Sequence, residues 1–287
     1  MKFAPFVIGS PRSGTTLLRF MLDAHPLLAI PPETGFLPLQ IPFWLSSHIQ
    51  KRLFYLSLCR RHSGWNDFGL SRKEFWKALE TLSPFTVSDG LRTFYRLYAE
   101  KLRKPYWGDK TPSYTLHLPE IRQLLPEARF IHLIRDGRDA MISLRQQWFS
   151  PGASVVTQAE FWVNHVGTAR RNGLNQIDYL EIRFEKLILE PHLQLRRICD
   201  FLNLQFNDSM LDYQHHASQR IQEHQGRSNL FGHQWLSPAQ RRQQQVRTTQ
   251  PLNEKLIEQW RTVLSAQEQQ QFWNIAGDLL SELEYSK

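Results

Sequence analysis

Residues 6–18 read Phe6-Val7-Ile8-Gly9-Ser10-Pro11-Arg12-Ser13-Gly14-Thr15-Thr16-Leu17-Leu18. The apolar run Phe6–Ile8 predicts a buried strand. It breaks at Gly9-Ser10-Pro11 and restarts at Thr15 as a helix whose apolar face carries Leu17, Leu18, Met21 and Leu22, with Pro26 as its stop. A strand, a Gly-bearing turn and a helix N-terminus make an anion site. The first helical turn has N–H groups without intrahelical partners, and the macrodipole adds partial positive charge there. Gly14 lets the backbone approach an oxyanion, and the hydroxyls of Ser13, Thr15 and Thr16 add donors. The spacing Gly9-x4-Gly14 matches the nucleotide P-loop, but Thr15-Thr16 replaces the usual Lys-[Ser/Thr], and the cation sits inside the loop at Arg12. This predicts a phosphate cradle that is not a Mg-ATP site.

The rest of the chain supports an α/β reading. Leu27–Ile30 predicts a short strand before the stiff turn Pro31-Pro32-Glu33-Thr34-Gly35. Tyr106–Pro112 predicts a strand and turn, Arg129–Ile134 a buried strand running into Arg135-Asp136-Gly137, and Ile177–Ile182 another strand. Helices are expected at about 89–102 (capped by Asp89), 116–125, 157–171, 252–264 and 266–283. Strands alternating with helices argue for a central parallel sheet flanked by helices, a P-loop-like three-layer fold. The chain reads as a single domain over 1–287, with 36–102 as an aromatic, helical substrate-side insertion.

Charge and composition narrow the function. Thirty-five basic against 27 acidic residues give a net +8, which favours an anionic ligand. The two cysteines, Cys59 and Cys199, have no CxxC neighbour, so neither a disulfide framework nor a zinc site is expected, and no metal is assigned. No apolar run approaches the ~20 residues needed to span a bilayer. The apolar start after Lys2 runs straight into the anion loop and reads as mature sequence. These features lead us to expect a cytoplasmic protein.

In an open parallel sheet, ligands collect at the carboxyl ends of the strands. Arg12, Glu33, Lys110 and Arg135 each follow a predicted strand, so three cations and one carboxylate should converge. That is the makeup of a group-transfer site: cations stabilise charge on the transferred group, and a carboxylate takes a proton from the acceptor.

The segments PRSGTTLLRFMLDAHP, GDKTP, FIHLIRDGRDAMISL and RFEKLILEP resemble the PAPS-dependent sulfotransferases, where PAPS is 3'-phosphoadenosine 5'-phosphosulfate. The pattern is most similar to the protein-tyrosine and carbohydrate branch and its bacterial relatives. The resemblance covers about 6–33 and 107–206, and more loosely the C-terminal PLNEKLIEQWRTVLS. It implies PAPS as co-substrate, with Arg12, Ser13, Gly14, Thr15 and Thr16 on the 5'-phosphosulfate. It further implies Arg135 and Ser143 on the 3'-phosphate, Glu33 as base and Lys110 on the sulfuryl group. His117 is the rival base, since another branch uses a His in a similar His-Leu-Pro setting. Two positions depart: Phe184 stands where the tyrosine-sulfating branch has a nucleotide-touching Tyr, and Gln250 where it has a Lys, for which Arg247 or Arg242 could substitute. Small-molecule, carbohydrate and peptide acceptors stay open, the segment 36–102 and the tail being expected to form that side. A P-loop kinase lacks support in the loop. A PAPS-binding protein without transfer is opposed by the intact Glu33, Lys110 and Arg12. A nucleic-acid binder is opposed by the scatter of the basic residues.

Overall fold

The computed structural model describes residues 3–37, 39, 41–61, 63–228 and 234–287; Met1 and Lys2 lie outside them. The first elements are β1 (Ala4–Ile8), α1 (Thr15–Asp23) and β2 (Leu28–Ala29). The helices α2 (Ser47–Leu56), α3 (Arg72–Glu80) and α4 (Val87–Lys101) follow. Next come β3 (Tyr106–Trp107), β4 (Asp109–Lys110), α5 (Leu118–Leu124), β5 (Ala128–Ile134) and α6 (Gly137–Leu144). Then α7 (Val155–Gly173), β6 (Tyr179–Arg183), α8 (Phe184–Leu189), α9 (Pro191–Leu202) and α10 (Tyr213–Arg220) complete the body. The tail holds β7 (Arg227–Ser228), β8 (Gln234–Leu236), α11 (Pro238–Gln245), α12 (Trp260–Val263) and α13 (Ala266–Glu282).

The central sheet runs β4-β1-β5-β6, and each pair is parallel. Side chains alternate across it. Phe6, Ile8 and Phe130 join the aromatic core formed with Phe54, Phe68, Phe94 and Tyr98 of segment 36–102. Val7, Ile131, Leu133 and Ile182 face α1 and α8–α10. This period-two division is what a sheet covered on both faces requires, and it confirms the three-layer parallel α/β expectation.

The expected single strand at 106–110 is two. Tyr106–Trp107 pairs with β2, and Asp109–Lys110 pairs with β1. Gly108 is the crossing point: its N–H bonds the Ala29 carbonyl, and a Cβ there would come within 2.7 Å of Pro5. Pro5 has no N–H to offer, so pairing with β4 starts at Phe6. The chain thus steps from one strand pair to the next, and Lys110 reaches the end of the central sheet.

Two helix expectations change. The cap of α4 is Thr86, whose Oγ1 accepts from the Asp89 N–H and donates to the Asp89 carboxylate (2.6 Å); Asp89 sits one turn inside. The helix expected over 252–264 is mostly absent. The Leu256 carbonyl accepts from Arg135, while the Glu258 and Trp260 N–H groups donate to Asp139, so those backbone groups are withdrawn from a helical ladder. Only Trp260–Val263 remains α-helical, with a 3-10 turn at Glu254–Leu256.

Candidate active site

The strand ends open onto one cleft of about 700 Å³. Its wall includes Arg12, Gly14, Thr15, Thr16, Glu33, Lys110, Arg135 and Ser143, so eight of the nine predicted site residues meet in one place. The ninth, Ser13, is fully buried behind the loop, its Oγ without a partner among the described residues. His117 does not line the cleft; it begins α5, and its Nδ1 lies 3.8 Å from Glu120.

The loop fits an anion by two local features. Gly14 caps α1 with φ +94°, and no side chain caps the helix, which leaves its first-turn N–H groups open. A Cβ on Gly14 would meet the Phe184 ring at 2.5 Å, so glycine is required for space as well as for conformation. The same packing accounts for Phe184: its ring closes the loop from below and carries the Arg135 guanidinium 4.6 Å above it. Arg12 also has positive φ (+72°), which turns the loop back towards β5.

The arginines are crowded. Arg12 Nε donates to Ser143 Oγ (2.9 Å), while Arg135 donates to the Arg12 carbonyl (3.3 Å) and the Leu256 carbonyl (2.7 Å). Burial, then the charges of Arg135 and Arg247, lower the affinity of Arg12 for its proton. Arg135 is lowered by burial against the pull of Asp139 and Glu185, and its Nε has no partner among the described residues. Arginine remains charged under such pressure. Three cations pressed together, with donors to spare, make a place for a polyanion. This is the strongest fit of the site to a phosphorylated donor.

On the opposite side Lys110 Nζ lies 2.5 Å from the Glu33 carboxylate and 3.1 Å from Thr16 Oγ1. The lysine is buried, whereas 49% of the Glu33 side-chain surface is open, so the carboxylate meets the cleft. Burial pushes the Glu33 carboxyl up, but the charge and hydrogen bond of Lys110 outweigh it, with Arg241 and Arg227 adding; the net effect holds it below the usual range. Burial lowers Lys110 in turn, and Glu33 opposes that. Glu33 is therefore ionised at neutral pH.

The turn carrying Glu33 is fixed from both flanks. Thr34 Oγ1 donates to Asp109 (2.6 Å) and lies 3.0 Å from the Tyr114 hydroxyl, while the Thr34 N–H donates to Thr111. This ties the turn to β4, which carries Lys110. On the other flank a buried ionic network grips Ile30. The Ile30 N–H donates to Asp23 (2.7 Å), and its carbonyl accepts from Arg19 and Arg220. Asp23 also accepts from Arg220 (2.7 Å) and pairs with His216 (2.6 Å).

Sequence reading expected the tail on the acceptor side and offered Arg247 or Arg242 from it, but named none of the other charged tail residues that line the cleft. His224, Arg227 and Arg241 line it beside Glu33 and Lys110. His224 is buried with Nδ1 unpartnered among the described residues, and burial followed by the charges of Arg241, Arg19 and Lys110 keeps it neutral. Asp67, fully buried in segment 36–102, anchors Arg227 (2.9 Å) and Arg241 (2.8 Å) from behind. Among the described residues that segment contributes no lining side chain; it buttresses the wall that the tail forms. Of the two candidate tail cations, Arg247 lines the cleft and Arg242 does not. Among the described residues no cluster could hold a metal ion, and no helix is long and apolar enough to cross a membrane.

Fold and site together define a P-loop-like α/β class of protein with an oxyanion cradle at the first strand end. Residues 5–208 match the Sulfotransferase family, so the chain belongs to that family. It is 29% identical over 220 residues to a putative protein-tyrosine sulfotransferase of Caenorhabditis briggsae, covering 72% of this chain and 68% of the relative. It is 24% identical over 306 residues to nodulation protein NoeE of Sinorhizobium fredii, covering 98% and 66%. The chain spans 52% of protein-tyrosine sulfotransferase A of Caenorhabditis elegans, about half the length of that relative. The sulfotransferase domain of the Synechococcus PCC 7002 olefin synthase superposes with a TM-score of 0.60 at 22% identity, covering 96% of this chain and 94% of the other. Mouse sulfotransferase SULT7A1 complexed with PAP gives a TM-score of 0.52 at 13% identity, covering 98% and 84%.

Proposed function

We propose that the cleft transfers a sulfuryl group from PAPS to a hydroxyl or amine of an acceptor by a single in-line displacement. The observation that carries this reading is the division of the cleft. A carboxylate–lysine pair, Glu33 and Lys110, faces a separate crowd of cations, Arg12, Arg135 and Arg247, beside an uncapped helix N-terminus. PAPS would supply the sulfuryl group and leave as 3',5'-ADP. The open N–H groups at Thr15 and Thr16 suit its 5'-phosphate, with Ser13 and Gly14 shaping that loop. Arg135 and Ser143 suit its 3'-phosphate, and Arg12, bonded to Ser143, links the two ends. Support for PAPS comes from the mouse relative, which was solved with PAP.

Glu33 is ionised and opens to the cleft, so it takes the acceptor proton as the new oxygen–sulfur or nitrogen–sulfur bond forms. The sulfur–bridging-oxygen bond breaks, and its electron pair stays on the departing phosphate. Lys110, held between Glu33 and Thr16, faces the charge that develops there. These fixed cations do what a metal does in kinases. A cytoplasmic location is proposed on the same footing, supported by two buried free cysteines.

The test is incubation with PAPS and a pooled set of tyrosine peptides, saccharides, phenols, alcohols and amines, following release of 3',5'-ADP. Acceptor-dependent release is expected. No release, together with no PAPS binding by calorimetry, would sink the reading.

A further inference from the structure

The cleft continues outward into a shallow, open recess at the surface. The two spaces share Gln146, Trp148, Leu236, Gln243 and Gln244. The recess differs sharply in chemistry from the cleft it joins. Among the described residues no ionisable side chain lines it, in a chain carrying 35 basic residues and with cations throughout the neighbouring cleft. It holds instead an aromatic platform and a set of amides.

The platform is Trp148, 57% exposed, meeting Trp235 nearly edge-to-face at 4.4 Å between centroids (76°) and Phe149 at 5.3 Å (85°). Large exposed aromatic clusters of this kind mark contact surfaces. The side-chain amides of Gln146, Gln243 and Gln244 make no hydrogen bond among the described residues. Each amide offers donors and an acceptor and carries no charge. An acidic peptide would find no cation here. A sterol or alkyl chain would leave the amides stripped of water and unpaired, which costs free energy. A neutral sugar satisfies both halves: its C–H face packs on the indole, and its hydroxyls pair with the amides.

We propose that this recess seats a short neutral saccharide, one of whose hydroxyls extends into the cleft towards Glu33. This names the acceptor class and rests on the transfer reading above. The saccharide loses a hydroxyl proton to Glu33 and gains the sulfuryl group as a sulfate monoester; the donor leaves as 3',5'-ADP.

The test is direct binding, so that it does not depend on turnover. The wild-type chain, with and without saturating PAP, is titrated with maltose, lactose, N,N'-diacetylchitobiose, 4-nitrophenol and an acidic tyrosine peptide. Binding is read by tryptophan fluorescence and saturation-transfer NMR. At least one saccharide is expected to bind, with Trp148→Ala weakening it about tenfold or more and Trp148→Phe restoring part of the loss. Both variants are compared with wild type in the absence of PAP, because Trp148 also lines the donor cleft. The proposal is overturned if no saccharide binds, if only the phenol or the peptide does, or if saccharide binding ignores Trp148→Ala. Failure of wild-type PAP binding strikes the donor reading alone, because the saccharide titration is also run without PAP.

Discussion

Replacing Glu33 by Gln separates the chemistry of the site from its donor binding. The substitution keeps an oxygen for Lys110, 2.5 Å away, and removes the negative charge and the basic lone pair. A positioned general base contributes about 10²–10⁴ in rate. At about 1.4 kcal/mol per decade, the barrier should rise by about 3–5 kcal/mol. Stability should change far less. Half of the Glu33 side chain is open, and Lys110 keeps Thr16 Oγ1, so a loss of about 1 kcal/mol is expected. PAP affinity should hold or rise, since one negative charge leaves a cleft built for a polyanion. Calorimetry with PAP, thermal unfolding and 3',5'-ADP release with a responsive acceptor give the three readouts. The pH profile adds a fourth. A base must be deprotonated, so turnover falls as pH drops through its pKa. Lys110 holds Glu33 below the ordinary carboxyl range, so the wild-type acid limb should lie below that of an unperturbed glutamate. Turnover within about threefold of wild type would refute the base assignment. Loss of PAP binding would instead make Glu33 a structural residue.

Arg135→Ala should weaken PAP binding by about ten- to a hundredfold, since it removes a charge-assisted contact worth about 1.5–3 kcal/mol; calorimetry checks this, and unchanged affinity would place the 3'-phosphate elsewhere. Asp23→Ala strips a buried carboxylate from Arg220 and orphans the Ile30 N–H, and should cost about 3–5 kcal/mol in denaturant unfolding. The arginines, led by Arg220, hold Asp23 far below its usual pKa despite burial, so its contribution is present above the unfolded pKa and is lost as pH falls towards the folded value. Acid unfolding should accordingly begin at higher pH in wild type than in a variant with this contribution already removed, if total stabilities are matched with osmolyte. Gly14→Ala forces a Cβ against Phe184 at positive φ; a loss of about 1–3 kcal/mol and weaker PAP binding are expected.

Much of this protein is legible from local sequence. The first strand, its loop and its helix lie within residues 4–23, so hydrophobic period, Gly14 and helix start suffice to read them. Arg12 and Arg135 could be placed because each directly follows a strand of the central parallel sheet, whereas Lys110 ends β4 itself and Glu33 lies beyond β2, which pairs with β3 in a separate two-stranded sheet.

What sequence left open depends on contacts between distant residues. Nothing near Arg241 announces that Asp67, 174 residues away, will hold it in the cleft. Nothing near Leu256 shows that its carbonyl will be claimed by Arg135, so a helical period there gave way to an irregular path. His224 reads as an ordinary surface histidine until α10 and its ion pairs carry it to the wall. The split at Gly108 needed Pro5 alongside it. The sequence by itself determined the anion loop, the sheet and the residues at its strand ends, because these follow from local periodicity and turn chemistry. The tertiary structure alone decided the tail's wall, the partner of each cation and the uncharged recess beside them, because these arise from long-range packing that no local pattern encodes.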